Sequence, residues 1–278
     1  MVVDFHTHNF PDALAKRAID GMLAKLGGIL EPAGDGTISR QIADMKRDGI
    51  DRAVMCPVAT KPGQFEAILS RAVAIRSGEL GEDAARMIEP LGALHPSDPE
   101  LLRHIDELLA AGIKGIKLHP YYQRFSLEDP GMAPFFASVR DAGLFTVCHC
   151  GIDPGYMECA IECAPAQIAT LLRRVPGLGP LFVAAHLGGF SGSPPHAVDI
   201  LLDFDCWIDT AVLAAEAETD EPIRIMSEWP ADRILFATDY YWTSQRFVLD
   251  WVKRHRPSKT DLEKILHLNA ERLLSAAP

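Results

Sequence analysis

Two histidines stand one residue apart near the start of the chain, in the stretch Asp4-Phe5-His6-Thr7-His8. On an extended segment, residues i and i+2 point to the same side, so both imidazoles could bind one metal ion at about 2.0–2.1 Å. The residues before them are apolar and β-branched enough to form a buried strand. Asp4 shares the face of both histidines, one layer deeper, where it could orient a ligand. The motif alone leaves open a metal site or a polar strand end.

Apolar, strand-like runs alternate with helical patterns along the whole chain. Candidate strands lie near residues 2–8, 51–57, 88–94, 113–119, 144–149, 181–186, 206–210 and 233–238. Candidate helices lie near 11–25, 38–48, 63–77, 98–111, 132–142, 165–175, 195–203, 221–229, 243–255 and 260–275. This alternation predicts an α/β fold, a single-domain (β/α)8 TIM barrel over residues 1–278. The alternative is an open doubly wound sheet, but no G-x-G-x-x-G follows the first strand.

Polar side chains end several of the predicted strands. The histidines at these positions are His6, His8, His95, His119, His149 and His186, and Asp239 ends the eighth strand. In a barrel of this kind, the carboxyl ends of the strands form the catalytic face. Even without His95 and His119, imidazole and carboxylate groups come from four separate strands, which indicates a site at this face. Asp239 has one alternative role, as a helix N-cap, and His95, which precedes a proline, is expected to be structural.

Several stretches occur in an order that resembles a known family. They are Asp4-Phe5-His6-Thr7-His8, Gly115-Ile116-Lys117-Leu118-His119-Pro120, His149-Cys150-Gly151, His186-Leu187-Gly188-Gly189, Thr238-Asp239-Tyr240 and Leu268-Asn269-Ala270-Glu271-Arg272-Leu273-Leu274. Over essentially the whole chain this order resembles the amidohydrolase superfamily, specifically its amidohydrolase-related (amidohydrolase 2) branch of metal-dependent hydrolases and decarboxylases. The resemblance implies that a divalent metal is bound by His6, His8, His149 and Asp239. It also implies that His186 lies beside the metal, as a further ligand or an acid/base residue.

The residue types are suited to this chemistry independently of the family. Three neutral imidazoles and a carboxylate suit one zinc ion, with manganese, iron or a second metal left open. Such an ion would lower the pKa of a water molecule to about 7. Asp239 could accept the proton and deliver it to a leaving group, and His186 could stabilise a developing oxyanion.

Lys117 alternates with Gly115 and His119, so all three should face the barrel axis. An inward lysine needs a partner or a lowered pKa. Relatives with two metals carry a carboxylated lysine on the fourth strand, so Lys117 is an alternative metal ligand. We favour a single metal, with Lys117 in a buried ion pair or in contact with substrate. His119 is expected to contact substrate or to hydrogen-bond within the barrel mouth.

The loops that follow the strands should supply further substrate contacts. The candidates are Lys61, Tyr121, Tyr122, Arg124, Tyr156, Tyr240, Tyr241 and Trp242. Arg124 or Lys61 could pair with a substrate carboxylate. The stretch Asp239-Tyr240-Tyr241-Trp242 departs from the family tendency to place proline after the tyrosine.

The six cysteines do not suggest a disulfide framework in a chain of this length. Cys148 and Cys150 flank His149 and should point away from it, toward the covering helices. Cys159 and Cys163 have the i, i+4 spacing of a helix, which could hold a soft metal. Buried, reduced thiols are the favoured interpretation.

The composition is that of an ordinary globular protein, with 48% hydrophobic and 23% charged residues. A formal charge of −11 argues against broad binding to nucleic acid or to anionic membranes, which needs a cationic surface. No run approaches the roughly 20 apolar residues that span a bilayer. We therefore expect a cytoplasmic protein with a small-molecule substrate. Relatives are often dimers, so the sequence leaves a homodimer as one of the oligomeric states open to this chain.

The leading hypothesis is a metal-dependent hydrolase that cleaves a small amide, ester or lactone. The alternative is metal-dependent, non-oxidative decarboxylation of an aromatic or unsaturated carboxylic acid. A metal-dependent deoxyribonuclease is disfavoured by the acidic charge and by the lack of a fourth-strand glutamate. A hypothesis from another class is a metal-binding protein without turnover.

Overall fold

A computed structural model describes residues 1–276 and has the predicted barrel architecture. The eight strands are Val3–Thr7 (β1), Arg52–Met55 (β2), Ile88–Pro90 (β3), Gly115–Leu118 (β4), Phe145–Cys148 (β5), Phe182–Ala184 (β6), Trp207–Asp209 (β7) and Ile234–Leu235 (β8). Neighbouring strands pair in parallel, in the orders β1-β2-β3 and β4-β5-β6-β7-β8. The α/β fold predicted from the alternating pattern is thus confirmed.

Helices of several kinds connect the strands. The α-helices are Asp12–Leu26, Ile38–Asp48, Phe65–Arg76, Glu82–Met87, Leu101–Ala110, Pro120–Gln123, Met132–Asp141, Pro165–Arg174, Ala214–Ala217, Asp220–Glu228, Gln245–His255, Lys259–Glu263 and Asn269–Ala276. The 3₁₀ helices are Pro62–Gln64, Pro154–Tyr156, Gly179–Leu181, Ala197–Asp203 and Ala231–Arg233, and Lys264–Leu268 is a π-helix. No helix among the described residues is both long enough and apolar enough to cross a membrane.

Backbone hydrogen bonds join the two groups of strands into one closed ring. Gly92 N donates to Gly115 O at 2.9 Å, which joins the β3 side to β4. On the opposite side, Phe5 N donates to Phe236 O at 2.8 Å and Asp239 N donates to His6 O at 2.9 Å. Closure brings the carboxyl ends of β1 and β8 together, although they lie at opposite ends of the sequence.

An irregularity in β1 sets the direction of its side chains. The pairing of β1 with β2 shifts register between Asp4 and Thr7. As a result, two consecutive residues both reach across the barrel: the Phe5 ring lies 5.5 Å from that of Phe145, and His6 contacts Lys117. Strict alternation would have placed Phe5 and His6 on opposite faces, and a bulge removes that constraint.

Two predicted elements differ in the structure. The eighth strand, expected over 233–238, pairs only over Ile234–Leu235, because Phe236 N donates instead to Ile265 O at 3.0 Å. The segment 151–164 contains only the 3₁₀ helix Pro154–Tyr156, so Cys159 and Cys163 do not share a helix face and the alternative of a soft-metal pair on such a face does not hold. Cys159 is exposed, while the other five cysteines are buried and reduced.

Candidate metal centre and active site

His6 and His8 each have one ring nitrogen held by the protein. The His6 Nδ1 lies 2.9 Å from the Asp209 Oδ2, and the His8 Nδ1 lies 2.8 Å from the backbone oxygen of Cys56. Metal-binding histidines commonly donate their second ring N–H to a carboxylate or a carbonyl in this way. Both contacts leave the Nε2 atoms as the nitrogens that can bind a metal.

Asp239 completes a cluster with these two imidazoles. Its Oδ1 lies 3.0 Å from the His8 Nε2 and 3.7 Å from the His6 Nε2. One donor atom from each of the three residues lies within 4.8 Å of the others. Burial alone would raise the pKa of Asp239, but the contact with the His8 ring and nearby positive charge, including that of Lys117, hold it below its usual value. Asp239 is therefore ionised at neutral pH, and Ser244, not Asp239, caps the following helix.

Lys117 is almost fully buried, with 1% of its surface exposed. Its Nζ lies 2.7 Å from the His6 Nε2. Within residues 1–276 no carboxylate lies within ion-pair distance of it, so the expected buried ion pair is not formed. Burial, and next the charge of Lys117, hold the pKa of His6 well below its usual value. His6 is thus a neutral imidazole, and the ammonium places positive charge beside the His6–Asp239 pair.

His149, the fourth ligand implied by the resemblance, lies one imidazole away from this cluster. Its ring centroid is 4.5 Å from that of His186, which is 5.2 Å from that of His6. The His149 Nε2 is buried and has no hydrogen-bond partner among the described residues 1–276. A buried nitrogen without a partner is costly, and a bound cation would remove that cost. Burial also holds the pKa of His149 well below its usual value, so its lone pair is available.

His119 lies between two aromatic rings. It stacks on Tyr122 at 3.8 Å with an interplanar angle of 2° and on His149 at 4.1 Å with an angle of 14°. Its Nε2 also lies 3.3 Å from the Asp153 Oδ2. His119, His149 and Asp153 are close enough together to suggest a second metal group. We reject that reading, because imidazole lone pairs lie in the ring plane and two stacked, nearly parallel rings cannot point them at one ion.

His186 is positioned by a left-handed turn that also contains Leu187 and Gly188. Its backbone N donates to the Asp209 Oδ1 at 2.8 Å, and its Nδ1 lies 2.9 Å from the backbone oxygen of Ala211. A neutral His186 that donates its Nδ1–H to this oxygen has its lone pair on Nε2. It can then accept a proton or bind a metal, but it can stabilise an oxyanion only after it is protonated.

Asp209 was not identified from the sequence, although it organises the centre. One oxygen contacts the His6 ring, and the other accepts from the backbone N of His186 at 2.8 Å and of Ala211 at 3.1 Å. Burial raises the pKa of Asp209. Its position as the last residue of β7, at the face where the strands end, was the available signal.

Asp4 acts on the backbone and not on an imidazole. Its carboxylate accepts from the backbone N of Thr238 at 3.0 Å, from the Thr238 hydroxyl at 2.6 Å and from Gln245 at 2.7 Å. It also accepts from the backbone N of His6 at 3.3 Å. Asp4 therefore ties β1 to β8 beneath the cluster. Burial raises its pKa to about 7.

A cavity of about 980 Å³ opens above the cluster. Most of the predicted contact residues border it, namely Lys61, Lys117, His119, Tyr121, Tyr122, Arg124, Tyr156, Tyr241 and Trp242. Tyr240 does not: its side chain is buried and its hydroxyl donates to Asp44 at 2.8 Å. The prediction that Tyr240 contacts substrate was therefore wrong. His95 also borders the cavity, and its Nδ1 accepts from Ser97 N at 3.1 Å, in keeping with the structural role expected for it.

Arg71 is a cavity residue that sequence reasoning missed. Its guanidinium donates to two neutral oxygens, the Asn9 side chain at 2.5 Å and the Phe10 carbonyl at 3.1 Å. Its Nε is buried without a partner, and burial lowers its pKa. No carboxylate forms an ion pair with it among residues 1–276. It lies on the helix Phe65–Arg76, where a solvent-exposed arginine would look identical in sequence.

Comparisons with known proteins agree with this architecture. A family model described as Amidohydrolase matches residues 3–275, and no curated protein matches the chain by sequence. An uncharacterized TIM-barrel protein from Bordetella bronchiseptica is 19% identical, with a TM-score of 0.74 and with 99% of this chain and 98% of that chain covered.

Two further solved structures carry functional descriptions of their own. A probable 2-pyrone-4,6-dicarboxylic acid hydrolase from Acinetobacter baumannii, with citric acid bound, is 14% identical, with a TM-score of 0.65 and 99% of both chains covered. A 5-carboxyvanillate decarboxylase from Novosphingobium aromaticivorans, with bound manganese, is 14% identical, with a TM-score of 0.67 and with 99% of this chain and 97% of that chain covered. At these identities the similarity establishes the shared fold.

Proposed function

The chain belongs to the amidohydrolase family, and from this we propose that it is a metal-dependent hydrolase of a small amide, ester or lactone. The observation that carries the proposal is the cluster of His6, His8 and Asp239. Both imidazoles are held through Nδ1, and their Nε2 atoms lie 3.7 and 3.0 Å from one carboxylate oxygen. This arrangement of two imidazole nitrogens and one carboxylate oxygen suits a divalent cation.

His149 is the proposed fourth ligand. Its buried Nε2 lacks any other partner, which supports this role. Zinc is our first choice for the metal, and the manganese in a structural relative keeps that ion a candidate. A divalent cation held there would act as a Lewis acid and would make a water molecule acidic at about pH 7.

Side chains of the protein would accept the proton of the attacking water and transfer it. Asp239 is ionised at neutral pH, so its free carboxylate oxygen can accept a proton from an attacking water and deliver it to the leaving group. The His186 Nδ1 lies 2.9 Å from the Ala211 carbonyl oxygen, and in the tautomer that donates Nδ1–H to this oxygen the lone pair is on Nε2, so His186 is proposed as a second base. Tyr122 and Trp242 border the cavity and would cover an apolar substrate.

A second candidate function is non-oxidative decarboxylation of an aromatic or unsaturated acid. The observation that favours it is Arg71, a partly buried guanidinium in the cavity that contacts only neutral oxygens. A buried charge without a counterion is unfavourable, and a substrate carboxylate would compensate it. The same group would also accommodate a hydrolase substrate that carries a carboxylate.

Product analysis of the metal-loaded protein separates the candidates. The protein would be supplied with zinc or manganese and screened with aromatic esters, amides, lactones and carboxylic acids in ¹⁸O-labelled water. ¹⁸O in the organic product supports hydrolysis, and release of carbon dioxide with no ¹⁸O in the organic product supports decarboxylation. Turnover of neither kind, with one metal stoichiometrically bound, would favour a metal-binding protein without catalysis. Asp239→Asn serves as the control for contaminating enzymes.

A further inference from the structure

Three buried thiols meet on the side of β5 opposite to His149. The Cys163 Sγ lies 3.2 Å from the Cys150 Sγ and 3.8 Å from the Cys148 Sγ. Cys148 and Cys150 are two residues apart at the end of the strand, so they share a face that His149 does not. All three side chains are 0–1% exposed. Half of the cysteines in the chain are thus gathered at one point.

The backbone holds the three thiols in place. Gly151 N donates to Cys163 O at 3.0 Å, which places the end of the 151–164 segment beside the end of β5. One residue, Ala164, separates Cys163 from the helix Pro165–Arg174, and the start of this helix is fixed by a hydrogen bond from Ala164 N to the Gln167 Oε1 at 2.8 Å. Hydrogen bonds of the protein therefore hold both the end of β5 and the segment around Cys163 in place without a bound cation.

The donor set consists of sulfur alone. The three thiols form a group in which every Sγ lies within 4.8 Å of the others, and no imidazole or carboxylate belongs to it. Sulfur ligands select soft cations such as Cu(I) or Cd(II) over manganese or magnesium. Three sulfurs bound at about 2.3 Å to a central ion would lie about 4 Å apart, so binding would move the sulfurs by less than about 1 Å.

We propose that Cys148, Cys150 and Cys163 form a binding site for a thiophilic cation such as Cu(I), separate from the centre at the barrel mouth. Binding forms three metal–sulfur bonds and releases three thiol protons, with no change in oxidation state. A cation bound there would link Cys163 to β5. Cys163 ends the loop that places Asp153 and Tyr156 at the cavity, so the cation would also hold that end of the loop. The proposal depends on thiol geometry alone and stands whether or not the mouth is catalytic.

Cadmium is the probe, because thiolate-to-cadmium charge transfer absorbs in the ultraviolet and the cluster at the mouth has no sulfur. The full chain, reduced, loaded with manganese and carrying Cys159→Ser to remove the exposed thiol, would be titrated with Cd(II). We expect one equivalent to saturate the band, with an intensity that corresponds to three thiolates. Absence of a saturating band would overturn the proposal, and so would a Cys150–Cys163 disulfide found by thiol counting before reduction.

Matched variants identify the ligands. Cys163→Ser should lower the band intensity by about one third and weaken cadmium binding at least tenfold, whereas Cys206→Ser, which removes a buried thiol outside the group, should change neither. An unchanged titration in Cys163→Ser would contradict the site. Circular dichroism and manganese stoichiometry report whether each variant folds. If Cys163→Ser does not fold, Cys150→Ala provides a second test of the same site.

Discussion

The Asp209 carboxylate lies 2.9 Å from the His6 Nδ1 and joins the ends of β7 and β1 across 203 residues of sequence. The same carboxylate binds the backbone N of His186. One buried group therefore sets the ring orientation of a proposed metal ligand and the position of a candidate base. We therefore expect the metal affinity to depend on a carboxylate that is not itself a proposed ligand.

Replacing Asp209 with asparagine should weaken metal binding by about 10–100-fold, as is typical when the partner of a histidine ligand is lost. Isothermal titration with Zn(II) or Mn(II) measures the change. Asp205→Asn is the matched control, because Asp205 lies nearby in sequence but is exposed. Equal affinities in Asp209→Asn and Asp205→Asn would show that the carboxylate does not support His6.

Lys117→Met should strengthen metal binding by about tenfold, equivalent to about 1.4 kcal/mol. The reason is that the ammonium lies 2.7 Å from the His6 Nε2, where it competes with a cation for the same lone pair. Titration of metal-free protein measures the affinity. A loss of affinity would instead make Lys117 a ligand, and intact mass spectrometry would then show whether it is carboxylated.

Asp239→Asn should lower kcat by about 10²–10⁴-fold, because an amide cannot accept the proton. The backbone at this position has a φ of 55°, which asparagine tolerates better than most residues, so the fold should be retained. Steady-state kinetics on whichever substrate the screen identifies, together with thermal unfolding, test both parts. Near-normal kcat would remove Asp239 from proton transfer.

The metal-free protein should lose stability as the pH falls below about 6.5, and His149 should account for part of that loss. Its pKa in the folded state is held well below 6.5 by burial, whereas the unfolded chain takes up a proton near 6.5. The unfolded state then binds more protons, so the free energy of unfolding decreases by about 1 kcal/mol per pH unit for this residue.

Urea denaturation of the wild type and of His149→Gln at pH 7 and pH 5 isolates this contribution. The decrease between the two pH values should be smaller in the variant, since glutamine does not titrate. Because the pKa of Asp4 is raised in the folded state, its protonation increases the free energy of unfolding as the pH falls. This contribution is present in both proteins and cancels in the comparison. An identical decrease in both proteins would mean that His149 is protonated in the fold.

Arg71→Gln should weaken the binding of benzoate by about 10–100-fold, the value of a hydrogen bond to a charged group. Binding of benzyl alcohol, which lacks the charge, should change little. Glutamine removes the charge but is shorter than arginine and loses the Nη2 contact with Asn9, so the benzyl alcohol measurement also reports whether that loss alters the cavity. Arg17→Gln, an exposed change outside the cavity, is the control. Equal losses for both ligands would indicate a general change in cavity shape.

The sequence alone was enough to predict the barrel, because strand and helix periodicity are local properties. It was also enough to place His6, His8, His149, His186 and Asp239 at one face, since parallel strands that close into a ring have their carboxyl ends on the same side. Whether His149 binds the same metal as His6 stays a prediction.

Tertiary contacts decided the remainder. The irregularity in β1 lets His6 reach Lys117. The hydrogen bond from the Tyr240 hydroxyl to Asp44, on the helix Ile38–Asp48, holds the Tyr240 side chain outside the cavity. The thiol group depends on a loop with no periodic pattern that returns Cys163 to β5. Each of these outcomes depends on where distant segments pack, because a side chain's partner is fixed by spatial proximity and not by its neighbours in sequence.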